Sequence, residues 1–210
     1  MSSNNKPITI GITGGIGSGK TFVSNLLKER GIPIYNSDDE AKRLMVSDEG
    51  IRRDLMALLG EDVYQGDALN KSLLTSYLFA DASNAARINA IVHPRVKADF
   101  HRWLSEHQDE EIAGLECAIL YEAGFEDTVD KVVMVYAPES LRIERAMARD
   151  GVSREQVERR IANQISDDER SARSKYAIVN ITLEELEEDV EQLHRRLAYD
   201  SQPHDNKIDE

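Results

Sequence analysis

Eight consecutive residues, Gly14-Gly15-Ile16-Gly17-Ser18-Gly19-Lys20-Thr21, carry the pattern G-x-x-x-x-G-K-[ST]. Each residue type has a use around a phosphate group. Glycine tolerates positive φ, so a turn built on Gly15, Gly17 and Gly19, with Ser18 inside it, can point several backbone N–H groups inward. A helix starting at Lys20 adds its first N–H groups and its positive dipole end, with the amides of Thr21 and Phe22 among them. The Lys20 ammonium can reach β and γ phosphates, and the Thr21 hydroxyl suits Mg²⁺. The expected ligand is a nucleoside triphosphate with its Mg²⁺.

Asp38 is the next candidate. It follows the end of a second strand, on the edge where parallel sheets bind ligands. A carboxylate there can take the proton of an attacking hydroxyl. It can equally cap a helix, since Ser37, Asp38 and Asp39 all precede a helical stretch. Arg145 and Arg149, four residues apart, could neutralise phosphate charge or pair with Glu144 and Asp150 at the surface.

The elements around these residues alternate. Ile8, Ile10 and Ile12 form a short strand running into the glycines, and Lys20 to Arg30 reads as a helix with Phe22, Val23, Leu26 and Leu27 on one face. Gly31 closes it, and Ile32 to Tyr35 reads as a second strand, giving a parallel, right-handed βαβ unit. Residues 38–108 look helical, with breaks near Gly60 to Asp67 and at His93-Pro94, and show no strong strand. Further strands fit Leu115 to Tyr121, Lys131 to Ala137 and Ala177 to Ile181. Pro138 opens a helix through Arg149, residues 153–173 are charged and helical, and a last helix sets Leu183, Leu186, Val190, Leu193 and Leu197 on one stripe.

Composition narrows the classes. The chain has 210 residues, 40% hydrophobic and 31% charged, within the range of soluble globular domains. A formal charge of −13 disfavours nonspecific nucleic-acid binding and adhesion to anionic membranes. One cysteine, Cys117, allows no intrachain disulfide and fits a reducing compartment; it reads as core packing. With no apolar run of spanning length, the expected location is cytoplasmic. A GTPase would show a D-x-x-G metal switch, which the chain lacks, and a motor or transporter ATPase needs a larger core. Small size, a helical insert and a late arginine-rich segment favour a kinase with a closing lid that excludes water.

In order, T-G-G-I-G-S-G-K-T, then Gly31-Ile32-x-Ile34-x-x-x-Asp38, resembles the dephospho-coenzyme A kinase family. So do Val92-His93-Pro94, Leu120-Tyr121-Glu122, Arg145-x-x-x-Arg149-Asp150 with Arg160-Ile161-Ala162-Asn163-Gln164, and Tyr176-Ala177-Ile178-Val179-Asn180. The match covers roughly residues 8 to 197. Asn36, Ala118 and Arg142 stand where the family often has aspartate, proline and glutamine. The resemblance implies transfer of the γ-phosphate of ATP to the ribose 3′-hydroxyl of dephospho-coenzyme A. Asp38 matches the family's general base, Lys20 and Arg149 the groups acting on the transferred phosphate, Arg145 a phosphate contact and Asn180 a neighbour of the adenine. Gln164 would shape the lid and Glu122 would orient substrate or cap a turn.

The expected fold is an α/β, P-loop kinase-like parallel five-stranded sheet flanked by helices. Residues 1–37, 109–139 and 174–199 form the nucleotide-binding core, 38–108 a helical substrate-binding insert, 140–173 a lid and 200–210 a flexible tail. The expected assembly is a monomer or weak homo-oligomer. The rivals are a kinase of nucleosides or nucleotides, and a binding protein that hydrolyses ATP only to regulate a partner.

Overall fold

The computed structural model describes residues 6–81 and 83–201. They fall into two compact units, one formed by residues up to Tyr35 and from Leu104 onward, the other by Asn36–Trp103.

The first unit is built on a buried strand. β1 (Ile8–Thr13) is buried along almost its whole length, so both of its faces must be covered. It pairs in parallel with β5 (Ile112–Glu116) on one side and β6 (Lys131–Tyr136) on the other. β7 (Tyr176–Val179) extends the sheet beyond β6, and β2 (Ile34–Asn36) extends it beyond β5. The resulting order is β2-β5-β1-β6-β7. Gly114 lies inside β5 because a Cβ there would sit 2.3 Å from Ile34 Cδ1. That glycine disguises the strand in sequence: the expected third strand, Leu115 to Tyr121, is displaced, and the chain leaves the sheet after Glu116.

α1 (Lys20–Glu29) and α9 (Leu183–Ser201) supply the apolar cover over one part of this sheet. Val23, Leu26 and Leu27 from α1 join Leu186, Val190, Leu193 and Leu197 from α9 around Ile10, Ile12, Val133 and Ile178. Phe22 and Leu183 depart from the expected stripes, being 46% and 58% exposed. Each stands at the start of its helix, where the helix has not yet settled onto the sheet. Asp200 and Ser201 are helical, continuing α9 into the segment expected to be a tail, whose remaining residues lie outside the described ones.

α6 (Glu139–Asp150), α7 (Arg154–Ile161) and α8 (Asp167–Arg173) occupy the stretch between β6 and β7. α6 ends at Gly151 in the left-handed conformation, and Ser153 and Gln156 form a reciprocal capping box that starts α7. Ile143, Ala146 and Val157 make a small separate core, against which Ile16 of the glycine loop packs.

The second unit is mostly helical, with α2 (Ser37–Ser47), α3 (Glu49–Leu59), α4 (Lys71–Ala80) and most of α5 (Asn84–Glu106). A short antiparallel hairpin, β3 (Tyr64–Gln65) and β4 (Ala68–Leu69), turns at Gly66, φ 62°, where the sequence offers no strand signal because the strands are two residues long. The expected break at His93-Pro94 is absent: Pro94 lies within α5 and His93 is a mid-helix residue. Ile88, Val92, Val96 and Phe100 keep one face of α5 buried past that point.

Candidate active site

The glycine loop leaves β1 at its carboxyl end and enters α1 without any side-chain cap. Gly17 and Gly19 take φ 77° and 91°, a region that L side chains rarely adopt. Space excludes a side chain at both as well. A Cβ on Gly17 would lie 2.1 Å from the Arg142 carbonyl oxygen, and one on Gly19 would lie 2.0 Å from Asn180 Nδ2. The loop is therefore gripped by its neighbours at the backbone.

Lys20 curls back over the loop, where its Nζ donates to the carbonyl oxygens of Gly14 at 2.8 Å and Gly15 at 3.3 Å. This holds the ammonium at the mouth of the turn, on the side where phosphates would lie. The Ser18 hydroxyl is buried and has no hydrogen-bond partner among the described residues. Phe22 differs from the sequence reading: its N–H donates to Gly19 O at 3.0 Å and so belongs to the helix start.

Thr21 Oγ1 donates to Glu116 Oε1 at 2.6 Å. Glu116 is buried at the carboxyl end of β5, beside β1. The expected strand, Leu115 to Tyr121, puts Glu116 near its start, whereas the observed strand ends there, at the edge that faces the loop. The available signal was an acid closing an apolar run, Ile112-Ala-Gly-Leu. A hydroxyl and a carboxylate in contact form an all-oxygen pair suited to Mg²⁺, which needs only one or two protein carboxylates when phosphates and water complete its shell.

Asn180 is the central tether on the other side. Its Nδ2 donates to Ser18 O at 2.8 Å, and its own N–H donates to Tyr136 O at the end of β6. Arg145 Nη1 donates to Asn180 O at 3.0 Å. Gly19, Phe22, Arg145 and Asn180, with Ile181, Leu183 and Leu186, line a cavity of about 340 Å³. It is apolar on the α9 side and adjoins the loop, as a heterocyclic base would require. Phe22 and Leu183, both exposed, line this space.

The 140–173 segment is tied to the loop from above. Gln164 Oε1 accepts the N–H of Ile16 at 2.9 Å, and Glu122 accepts the N–H of Ile165 at 3.0 Å. Arg142, buried beside Gly15 and Gly17, donates to Asp167 Oδ2 at 2.8 Å. Arg170 donates to the other oxygen of Asp167 at 2.9 Å, and its burial pulls its pKa down. Two buried guanidiniums therefore share one carboxylate, which places positive charge next to the loop of an acidic protein. Arg149 is not brought there. Its side chain is 63% exposed and forks onto Asp150 at 2.7 and 3.1 Å, and Arg160 shares that carboxylate. Hydrogen bonding to Asp150 raises the Arg149 pKa, and the same bond holds Asp150 below the usual range.

In the second unit, the question of Asp38 as a cap is answered by its neighbour. Asn36 Oδ1 accepts the N–H groups of Asp38 and Asp39, both at 3.1 Å. Asn36 is the cap, so the Asp38 carboxylate is not spent on one. Asp39 pairs with Lys42 and Glu40 with Arg43, whereas Asp38 is exposed and enters no ion pair among the described residues.

A five-stranded parallel sheet that delivers a glycine-lysine-threonine loop from its central strand defines a P-loop kinase. A crystal structure from Thermus thermophilus, 32% identical, superposes with a TM-score of 0.79 over 94% of this chain and 99% of that one. Shikimate kinase from Acinetobacter baumannii, 18% identical with a TM-score of 0.54, shares the fold. The model of the dephospho-CoA kinase family matches residues 8–185. A dephospho-CoA kinase of Bacteroides fragilis is 51% identical over 82% of this chain and 84% of its own, and that of Chlorobaculum tepidum is 35% identical over 91% and 95%. The chain belongs to the dephospho-CoA kinase family. It is an ATP-dependent kinase that phosphorylates the ribose 3′-hydroxyl of dephospho-coenzyme A, the last step of coenzyme A biosynthesis. Among the described residues no helix is long and apolar enough to cross a membrane.

Proposed function

We propose that this reaction runs on Asp38 as general base and on charge placed around the loop. The 3′-hydroxyl gives its proton to the Asp38 carboxylate as its oxygen bonds to the γ-phosphorus. The bond from that phosphorus to the bridging oxygen breaks, and ADP leaves. Lys20, with the amides of Gly15, Gly17, Gly19 and Thr21, stabilises the charge on the β and γ phosphates. Thr21 and Glu116 hold Mg²⁺, which neutralises phosphate charge when bound. The base of ATP occupies the cavity between Phe22, Asn180 and Leu183, with Arg145 at its edge. Arg149 acts from the lid after exchanging Asp150 for a phosphate.

The observation that carries this reading is the Asn36 cap, which leaves Asp38 as an exposed carboxylate at the end of β2 with no structural duty among the described contacts. Residues 38–108 are the substrate-binding insert and 140–173 the lid, whose helices close over Ile16. The reducing cytoplasm suits the lone buried thiol of Cys117, and the enzyme acts as a monomer or weak oligomer. The test is Asp38→Ala. A positioned base contributes roughly 10²- to 10⁴-fold, so turnover falls by that much while ATP binding stays near wild type. Unchanged turnover would remove Asp38 from the role of base.

A further inference from the structure

A second cavity, about 600 Å³, opens at the opposite edge of the sheet. Four cations line it, Lys131, Lys175, Arg195 and Arg196, together with Tyr176, Tyr199 and Asp200. Lys131 opens β6 and Tyr176 opens β7, so the cavity lies at the amino ends of the strands, whereas the phosphate loop follows a carboxyl end. The strand length between the two edges is on the order of 20 Å for six residues. This cavity is therefore separate from the catalytic one.

Its charge is unusual for this chain. Acidic residues outnumber basic ones to give −13 overall, yet the lining holds four cations and one carboxylate. Asp200 is already engaged: it accepts from Tyr176 Oη at 2.6 Å and pairs with Lys131. Arg195 pairs with Glu191 at 3.2 Å. Lys175 and Arg196 are exposed and form no ion pair within hydrogen-bonding reach among the described residues; the Lys175 charge acts on Asp200 only at longer range, helping Lys131 and Tyr176 hold that carboxyl below its usual range. A concave wall with four cations to one carboxylate is a place for a multiply charged anion. The Tyr199 ring, 63% exposed at the rim, adds a flat apolar face that a bare anion would not use.

We propose that this cavity is a second, non-catalytic site for a nucleotide, with the phosphates on Lys175, Arg195 and Arg196 and the base against Tyr199. The probe is ADP, titrated into the full chain by calorimetry. Two binding events per chain are expected, the weaker one losing affinity as salt is added. The double variant Lys175→Glu/Arg196→Glu loses the weaker event by tenfold or more and keeps kcat, since neither residue touches the loop. Lys20→Ala weakens the loop event and keeps the second. Pyrophosphate binds the second site at least tenfold more weakly than ADP. A single ADP event in the wild type, or a second event that survives the double variant, overturns the proposal. Pyrophosphate binding as tightly as ADP would reduce the cavity to a plain anion site and overturn its assignment to nucleotides.

Discussion

Thr21 and Glu116 depend on each other through one short hydrogen bond. Threonine at this position is a pattern match, whereas the buried carboxylate opposite it is what would make the hydroxyl half of the proposed cation site. Glu116→Gln keeps an acceptor for Thr21 but removes the charge. The Mg²⁺ concentration for half-maximal activity should rise about tenfold or more, by analogy with lost ligand support at metal sites, while melting temperature barely moves. An unchanged Mg²⁺ dependence in a titration of initial rates would contradict the assignment. Most of the loop was legible in sequence because glycine, lysine and threonine are each demanded by local geometry. Glu116 was not, because its role depends on where β5 ends, and Gly114 hides that strand's start. Asn36 was likewise visible only as a departure from the family's aspartate; the cap it forms is a matter of backbone direction. The exposed Arg149–Asp150 fork is one of the two readings the spacing allows, and only the fold shows it formed.

At the scale of elements, α9 does two jobs with one helix. Its buried face, Leu186, Val190, Leu193 and Leu197, closes the core over β1 and β6, while Leu183 at its start lines the cavity beside the glycine loop. The leucine spacing gave the helix, but not which leucine would be left for the ligand, since that depends on where β7 delivers the chain. Leu193→Ala removes a buried side chain and should lower unfolding free energy by about 2–5 kcal/mol in chemical denaturation, with KM for ATP nearly unchanged. Leu183→Ala should do the reverse, leaving stability within about 0.5 kcal/mol because the residue is exposed, while raising KM for ATP. Equal effects of the two on stability would contradict the division of the helix. α5 shows the opposite kind of misreading. Proline usually breaks a helix interior, but Val92, Val96 and Phe100 bury enough apolar surface on one face to carry the helix through Pro94.

Across the whole molecule, acidity has a specific consequence through His93. Burial, aided by the nearby Lys97, pushes its pKa below the usual 6.5. The folded unit therefore prefers neutral imidazole, and the unfolded chain binds the proton first as pH falls. Stability from this group is present above pH 6.5 and is lost on acidification below it. Denaturation midpoints at about pH 7.5 and about pH 5.5 should differ more in wild type than in His93→Gln. Equal differences would remove His93 from the account. The net charge of −13 makes the cationic positions informative, because the chain must gather positive charge locally to bind anionic substrates. It does so with Lys20, Arg142 and Arg145 around the loop.

The central claim is phosphoryl transfer from ATP to a ribose 3′-hydroxyl with Asp38 as the base. It is tested most directly by phosphorus NMR of the reaction with dephospho-coenzyme A, run for wild type and Asp38→Asn. The account predicts a new 3′-phosphomonoester resonance rising with ADP in equal amount for the wild type, and a rate lower by roughly 10²-fold or more for the variant. A wild-type rate retained by Asp38→Asn, or ADP formed without the phosphomonoester, would contradict it.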